Sequence, residues 1–199
     1  MESSLQGGRV IVGIDFSDSS ERALIQAVAL AEREHASLEL LHVFEWESPA
    51  GRAGPAGREP ADREPDNAAH AEIQSLARAA RRQLAALCSS LVGDRVHAEI
   101  QVRIGDPAVE LRRAAERPGT SLLVLGVHGR RGNSPGTVGR TVEKLCAGSP
   151  VPVLLVEQDP ATGQGRLVRP GLAATGALRH RPPASGLVGS REAFLRLSL

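Results

Sequence analysis

Residues 125–141, LGVHGRRGNSPGTVGRT, decide the fold, and they overlap the end of the apolar run SLLVL at 121–125. The stretch contains five glycines, at positions 126, 129, 132, 136 and 139. Glycine permits positive φ and lets backbone N–H groups converge on an anion. Because a single glycine suffices to cap a helix, five of them favour a phosphate-cradling loop at 126–139 over a flexible connection.

The residues among these glycines supply the chemistry that a phosphate group requires. Gly139 directly precedes a predicted helix, whose free N–H groups and dipole favour an anion. Arg130, Arg131 and Arg140 add positive charge. His128 is a candidate contact for a phosphate or a ribose, or a general base, although the sequence offers it no evident catalytic partner.

Two other phosphate-binding signatures are absent from the sequence. The P-loop pattern G-x4-G-K-[ST] fails because the single lysine, Lys144, follows Glu143. The pattern G-x-G-x-x-G is also missing. These absences disfavour a P-loop nucleoside triphosphatase and a dinucleotide-dependent dehydrogenase.

Strands and helices alternate along the chain on both sides of the glycine-rich stretch. Apolar runs predict strands at 9–14, 37–43, 95–102, 121–125 and 151–156. Periodic apolar positions predict helices at about 18–35, 68–91, 106–117 and 140–147. This alternation predicts a doubly wound α/β fold with five parallel strands and right-handed crossovers, in the manner of a Rossmann fold.

The turn after the first predicted strand carries a second candidate site residue. Asp15, Phe16 and Ser17 follow that strand, and ligands of doubly wound sheets bind beyond the carboxyl ends of the strands. The Asp15 carboxylate can accept hydrogen bonds from ribose hydroxyls or from an adenine amine. Alternatively, Asp15 or Ser17 only caps the following helix.

The composition narrows the class of protein and its partners. The formal net charge of +1 gives no electrostatic case for binding nucleic acid or a membrane, and no apolar run reaches the ~18 residues of a membrane span. Aromatic residues make up 2%, so the core must consist of Val, Leu, Ile and Ala. Cys88 and Cys146 show no metal-ligand spacing and no disulfide framework, so we expect a cytoplasmic protein without a metal site of its own.

Three segments fall outside the predicted elements of the domain at 9–158. We expect a flexible N-terminus at 1–8 and a mobile loop at 45–67, which is rich in Pro, Gly, Arg, Glu and Ala. From residue 159 to 199 the sequence turns to Gly, Pro, Ala and Arg, and after Asp159 its single acid is Glu192. This extension is predicted to be disordered, with docking on a partner or a membrane surface as the alternative.

Six segments resemble the universal stress protein (UspA) family in consistent order. They are VIVGIDFSDSSERAL at 10–24, LELLHVFE at 38–45, VRIGDPAVEL at 102–111, LLVLGVHGRRG at 122–132, VGRTVEKL at 138–145 and SPVPVLLVE at 149–157. The resemblance covers about residues 8–158. It implies an adenine nucleotide alpha hydrolase-like fold with strand order 3-2-1-4-5, and a homodimer through the last strand, 151–156.

The same resemblance implies where a nucleotide sits. ATP-binding members of the family share the pattern G-2x-G-9x-G-[ST], and the spacing of three glycines here matches it. By this resemblance Asp15 contacts adenosine, Val43 meets adenine through its backbone, and Mg²⁺ accompanies the nucleotide. Residues 126–129 and 139–142 hold the ribose and the phosphates. The implied site comprises Gly13, Asp15, Val43, Gly126, His128, Gly129, Gly139, Arg140, Thr141 and Val142.

One residue departs from the family pattern and leaves three functions open. Arg140 stands where ATP-binding members have Ser or Thr, and it either reaches the phosphate as a charged donor or fills the pocket. The neighbouring Thr141 offers a replacement hydroxyl. The first function is a module that binds ATP or AMP in stress response or signalling without fast turnover. The second is a dimeric scaffold that binds an unknown protein partner and no nucleotide, and the third is a slow ATPase without an identified catalytic residue.

Overall fold

The computed structural model describes residues 5–45, 67–128, 139–156 and 165–168. Its strands are β1 (Arg9–Gly13), β2 (Ser37–Phe44), β3 (Ala98–Ile104), β4 (Thr120–Gly126), β5 (Val153–Val156) and β6 (Gly165–Val168). Its helices are α1 (Asp18–Glu34), α2 (Asn67–Leu87), α3 (Pro107–Ala115) and α4 (Arg140–Gly148), and a π-helical turn at Cys88–Val92 continues α2.

The strands form one sheet in the order β3-β2-β1-β4-β5-β6. The first five are parallel, which confirms the predicted doubly wound fold with strand order 3-2-1-4-5. β1 lies between β2 and β4, so the strand order reverses beside it. The carboxyl ends of β1 and β4 therefore flank the switch point, where ligands of this class of fold bind.

Two aliphatic layers enclose the sheet, in agreement with the low aromatic content. Val10 and Val12 of β1 pack with α1 on one face, whereas Ile11 packs with α3 and α4 on the other. All three are fully buried. Burial on both faces explains why β1 and β4 read as continuous apolar runs rather than as alternating patterns.

β6 is a strand that the sequence analysis did not predict. Its residues belong to the 159–199 extension, and Gly165-Arg166 is a weak strand signal. It forms an antiparallel pair with β5, with Val168 opposite Val153 and Gly165 opposite Val156. The rest of the extension lies outside the described residues, as does nearly all of the loop predicted at 45–67.

A buried carboxylate marks the amino-terminal edge of the sheet. Glu39 of β2 has no solvent exposure; it forms an ion pair with Arg117, after α3, and lies 3.9 Å from Arg9 of β1. This charged group joins the starts of two strands to the segment before β4. It lies at the edge opposite to the strand carboxyl ends.

Among the described residues, no helix combines the length and the hydrophobicity that a membrane span requires.

Candidate functional site

The turn between β1 and α1 fixes the Asp15 carboxylate in place. Oδ1 of Asp15 accepts a hydrogen bond from the Ser17 N–H at 3.0 Å and from the Ser17 hydroxyl at 2.5 Å. Ser17 is the N-cap of α1 and forms a reciprocal capping box with Ser20. Ser17 therefore caps the helix, whereas the Asp15 carboxylate accepts hydrogen bonds from Ser17 and holds it in position.

Phe16, between these two residues, adopts a backbone conformation that is unusual for a side chain of its size. Its φ is +60°, in the left-handed region where a bulky residue is strained by about 1–2 kcal/mol. Strain of this kind persists where the surrounding structure imposes it, and it clusters at functional sites. The strain at Phe16 therefore makes the turn that carries Asp15 a candidate functional segment.

The end of β4 packs directly against the first turn of α1. A Cβ atom on Gly126 would lie 2.5 Å from Ser19 Oγ and 2.6 Å from the Ser19 carbonyl carbon. Ser19 is buried, and its Oγ accepts a hydrogen bond from the His128 N–H at 3.4 Å. The absence of a side chain at Gly126 therefore permits the contact that joins β4 to α1.

His128 leaves one polar atom without a partner at this junction. Its backbone carbonyl accepts a hydrogen bond from the Ser17 hydroxyl at 3.4 Å. Its ring Nδ1 is buried and has no hydrogen-bond partner among the described residues. Because an unpaired buried nitrogen is costly, this atom indicates a place for a polar ligand group.

The first turn of α4 lies beside the end of β4. The Gly139 N–H donates to the Val127 carbonyl at 3.4 Å, and Gly139, as N-cap, provides no side-chain cap for the helix. The side chain of Arg140 is exposed, that of Thr141 is half-buried and that of Val142 is buried. Arg140 is therefore not packed into the protein interior.

Three rings surround the same edge of the sheet, a feature that the sequence analysis missed. The His42 ring lies 4.6 Å from the Phe16 ring and 6.4 Å from the Phe44 ring, between centroids. Nδ1 of His42 is 2.7 Å from the Ile14 carbonyl oxygen, to which it donates. The available signal was that two of the three phenylalanines in the chain follow or end a predicted strand.

The structure brings together most of the residues predicted for the site. Asp15, His128 and the residues 139–142 meet near the carboxyl ends of β1 and β4. Gly13 ends β1 on the core side, where an added Cβ would lie 2.6 Å from Leu125. The side chain of Val43 packs against the layer of α3 and α4, which leaves its backbone as the group that could face a ligand. Gly129 lies outside the described residues.

Ion pairing joins the two helices that border this edge. Nζ of Lys144 in α4 lies 2.7 Å from Oδ2 of Asp106, the N-cap of α3. The hydrogen bond from Lys144 holds the pKa of the Asp106 carboxyl below its usual range, with help from the backbone N–H groups of Val109 and Ala108. The predicted N-cap role of Asp106 is thereby confirmed.

The sequence model of the universal stress protein family matches residues 8–157. This chain belongs to the universal stress protein family. The matched residues span β1 to β5 and include every site residue described above. No curated protein matched in a separate comparison.

Solved structures of this family share the fold. The universal stress protein UspA from Lactobacillus plantarum is 24% identical, with a TM-score of 0.53 over 75% of this chain and 97% of that chain. Hypothetical protein MJ0577 is 19% identical, with a TM-score of 0.64 over 77% and 98%. A universal stress protein from Archaeoglobus fulgidus is 17% identical, with a TM-score of 0.50 over 75% and 93%. At these identities the likeness establishes the architecture and leaves the ligand to be argued from the site.

Proposed function

We propose that this universal stress protein is a cytoplasmic module that binds an adenine nucleotide, ATP or AMP, and acts in stress response or signalling without fast turnover. The observation that carries the proposal is the buried Nδ1 of His128, which has no hydrogen-bond partner among the residues that the structure describes. It belongs to a residue that is hydrogen-bonded to both Ser17 and Ser19 at the switch point of the sheet. A ligand with polar groups at this point would meet a fixed carboxylate, an unsatisfied ring nitrogen and an uncapped helix start.

Each part of a nucleotide has a matching group at this edge. The Asp15 carboxylate would accept from the ribose hydroxyls, and the rings of Phe16 and Phe44 offer apolar faces near the base. The Val43 backbone would contact adenine, as the family resemblance implies. The phosphates would lie at the start of α4, where N–H groups and the exposed Arg140 favour negative charge.

Magnesium would enter this site with the nucleotide rather than before it. The described residues contain no group of three or more His, Cys, Asp or Glu side chains placed to hold a metal ion. Mg²⁺ binds phosphates with few protein ligands, so the phosphate oxygens would provide most of its coordination. The ion would neutralise phosphate charge when bound.

Replacing Asp15 tests the nucleotide site. Asp15→Asn keeps an oxygen that accepts from Ser17 but removes the charge offered to the ribose, and a hydrogen bond to a charged group contributes about 1.5–3 kcal/mol. We expect ATP to bind about tenfold or more weakly to this variant in titration calorimetry. Asp18→Asn, at an exposed position in the first turn of the same helix, is the matched control and should bind like the wild type. Equal affinities for all three proteins would refute the assigned role of Asp15.

The departure at Arg140 supports a second candidate function, a family scaffold that binds an unknown partner and no nucleotide. Arg140→Ser distinguishes the two. If Arg140 donates to a phosphate, the substitution weakens ATP binding about tenfold, as loss of a charge-assisted contact does. The control is Arg82→Ser, at an exposed position on α2. ATP binding that is absent from the wild type and arises in Arg140→Ser would instead identify the arginine as an obstruction and favour the scaffold.

The proposed homodimer through residues 151–156 requires that one backbone edge of β5 be free to pair with a second subunit. The family resemblance implies this contact, and a strand needs an open backbone edge to pair with a second subunit. In this chain β4 and β6 take the two edges of β5. The dimer is therefore proposed for a state of the protein in which β6 has left β5.

A further inference from the structure

β5 is enclosed by its own chain on both sides. Leu123–Gly126 of β4 pair with it in parallel, and β6 pairs with it antiparallel along all four of its residues. These four residues, VLLV, carry no charge and are buried. If β6 were removed, β5 would present an apolar strand with a row of unpaired N–H and C=O groups.

β6 is an addition to the family domain. The family match ends at residue 157, before Gly165. The two structures with the highest TM-scores cited above are covered to 97% and 98% by only 75% and 77% of this chain. The strand that closes the β5 edge is thus supplied by sequence beyond the part that this chain shares with its relatives.

The sequence of β6 suits the last strand of a sheet. It is four residues long and includes Gly165 and Arg166, and Arg169-Pro170 follow it. Short strands, charged residues and proline are the features by which proteins make an outer edge unfit for further pairing. β5 is equally short and follows Pro152, but its four residues carry no charge, whereas Arg166 lies within β6 and Arg169 and Pro170 follow it.

We propose that β6 is a built-in cap that keeps this protein from pairing with a second copy of itself through β5. An open, uncharged strand edge is a template for another chain, and an identical strand is its most available partner. Eight residues, 157–164, tether β6 to β5. A short tether gives β6 an effective concentration of about millimolar, which outcompetes a second copy at micromolar concentration.

A proline in β6 tests the cap in the full-length chain. Leu167, opposite Leu154 in β5, is replaced in Leu167→Pro, because proline fixes φ at about −65°, far from the value of about −140° in antiparallel strands. Ala184→Pro makes the same kind of change outside the described residues and is the control. In sedimentation equilibrium the wild type and Ala184→Pro should have the monomer mass of 21.0 kDa at about 10 µM. Leu167→Pro should dimerise at least about tenfold more tightly.

If the proline variant does not fold, two truncated chains provide the test. Hydrogen exchange of the backbone amides then shows whether β5 remains paired. A chain ending at Glu157 retains the family-matched residues and lacks β6, whereas a chain ending at Pro170 retains β6. We expect the shorter chain to dimerise and to keep its β5 amides protected, and the longer one to remain a monomer. A folded chain that stays monomeric without β6 would overturn the proposal. So would a wild type that dimerises as tightly as Leu167→Pro, or a wild-type dimer that Leu167→Pro dissociates, because β6 would then not be a cap.

Discussion

Gly126 is the residue on which the contact between β4 and α1 depends most directly. In Gly126→Ala the new methyl group would lie within 2.7 Å of three atoms of Ser19, two of them in the backbone. We expect the free energy of unfolding to fall by about 1–3 kcal/mol, as overpacking does, and ATP binding to weaken because His128 depends on Ser19. Urea unfolding and calorimetry measure the two effects.

Gly148, at the end of α4, provides the control for this substitution. A Cβ there would have its nearest neighbour at 3.7 Å, the flexible end of Arg112. Gly148→Ala should leave stability unchanged or raise it by up to about 1 kcal/mol, because alanine favours a helix. If Gly126→Ala were equally harmless, the close approach of β4 to α1 would have no energetic importance.

Single residues of the site were predictable in part. Asp15 and Gly126 could be found because each lies at the end of an apolar run, which places it at the carboxyl edge of a parallel sheet. The role of Ser19 and the unpaired ring nitrogen of His128, by contrast, could not be predicted from local sequence. Both depend on the contact between the end of β4 and the first turn of α1. The positive φ of Phe16 also has no local signal, since a phenylalanine seldom adopts this conformation.

The contact between α3 and α4 makes stability depend on pH. Lys144 holds the pKa of Asp106 below its usual range, so the contribution of this contact is fully present above a normal carboxyl pKa, about 3.9. It is lost as the pH falls through the lowered pKa of the folded state. Because Asp106 is partly exposed, solvent screening keeps the contribution small.

Asp106→Asn isolates this charge, because asparagine is an equally good N-cap. The variant should be less stable than the wild type at pH 7. The difference should begin to shrink as the pH falls below about 4, the ordinary pKa of the carboxyl, and should vanish only below the lowered pKa of the folded state. Urea unfolding at several pH values measures the difference, and Lys144→Gln should show the same pattern. A difference that is constant with pH would show that shape rather than charge stabilises the contact.

Among the elements, those buried on both faces were the most predictable. β4 is predicted at 121–125 and runs from Thr120 to Gly126. The prediction is accurate because a short uninterrupted apolar run is typical of a strand that is buried on both faces. β3 was expected at 95–102 and begins three residues later, at Ala98, because its half-exposed edge position gives a weaker pattern. β6 had only a weak local signal, because Gly165-Arg166 does not favour a strand and its pairing with β5 joins residues that the sequence pattern does not connect.

At the scale of the whole molecule, the alternation of strands and helices was enough to predict a parallel sheet. The order of the strands in that sheet fixes where the site lies. Strand order 3-2-1-4-5 places the turn after β1 beside the end of β4, although residues 15 and 128 lie far apart in sequence. Glu39 and Arg117 form a separate charged group at the opposite edge. The candidate site therefore lies at the carboxyl ends of the strands. Glu39 and Arg117, at the opposite ends, are far enough away to serve as internal controls in a binding experiment.

The most direct test of the proposed nucleotide site is to follow the backbone amide signals of the full-length protein by NMR during a titration with ATP. We predict saturable shifts for residues 15–19, 126–128 and 140–142 at about millimolar ATP or below. The amides of Glu39 and Arg117 should remain in place. Signals that do not move at millimolar ATP in the folded protein, or shifts confined to residues away from the carboxyl ends of β1 and β4, would contradict the account.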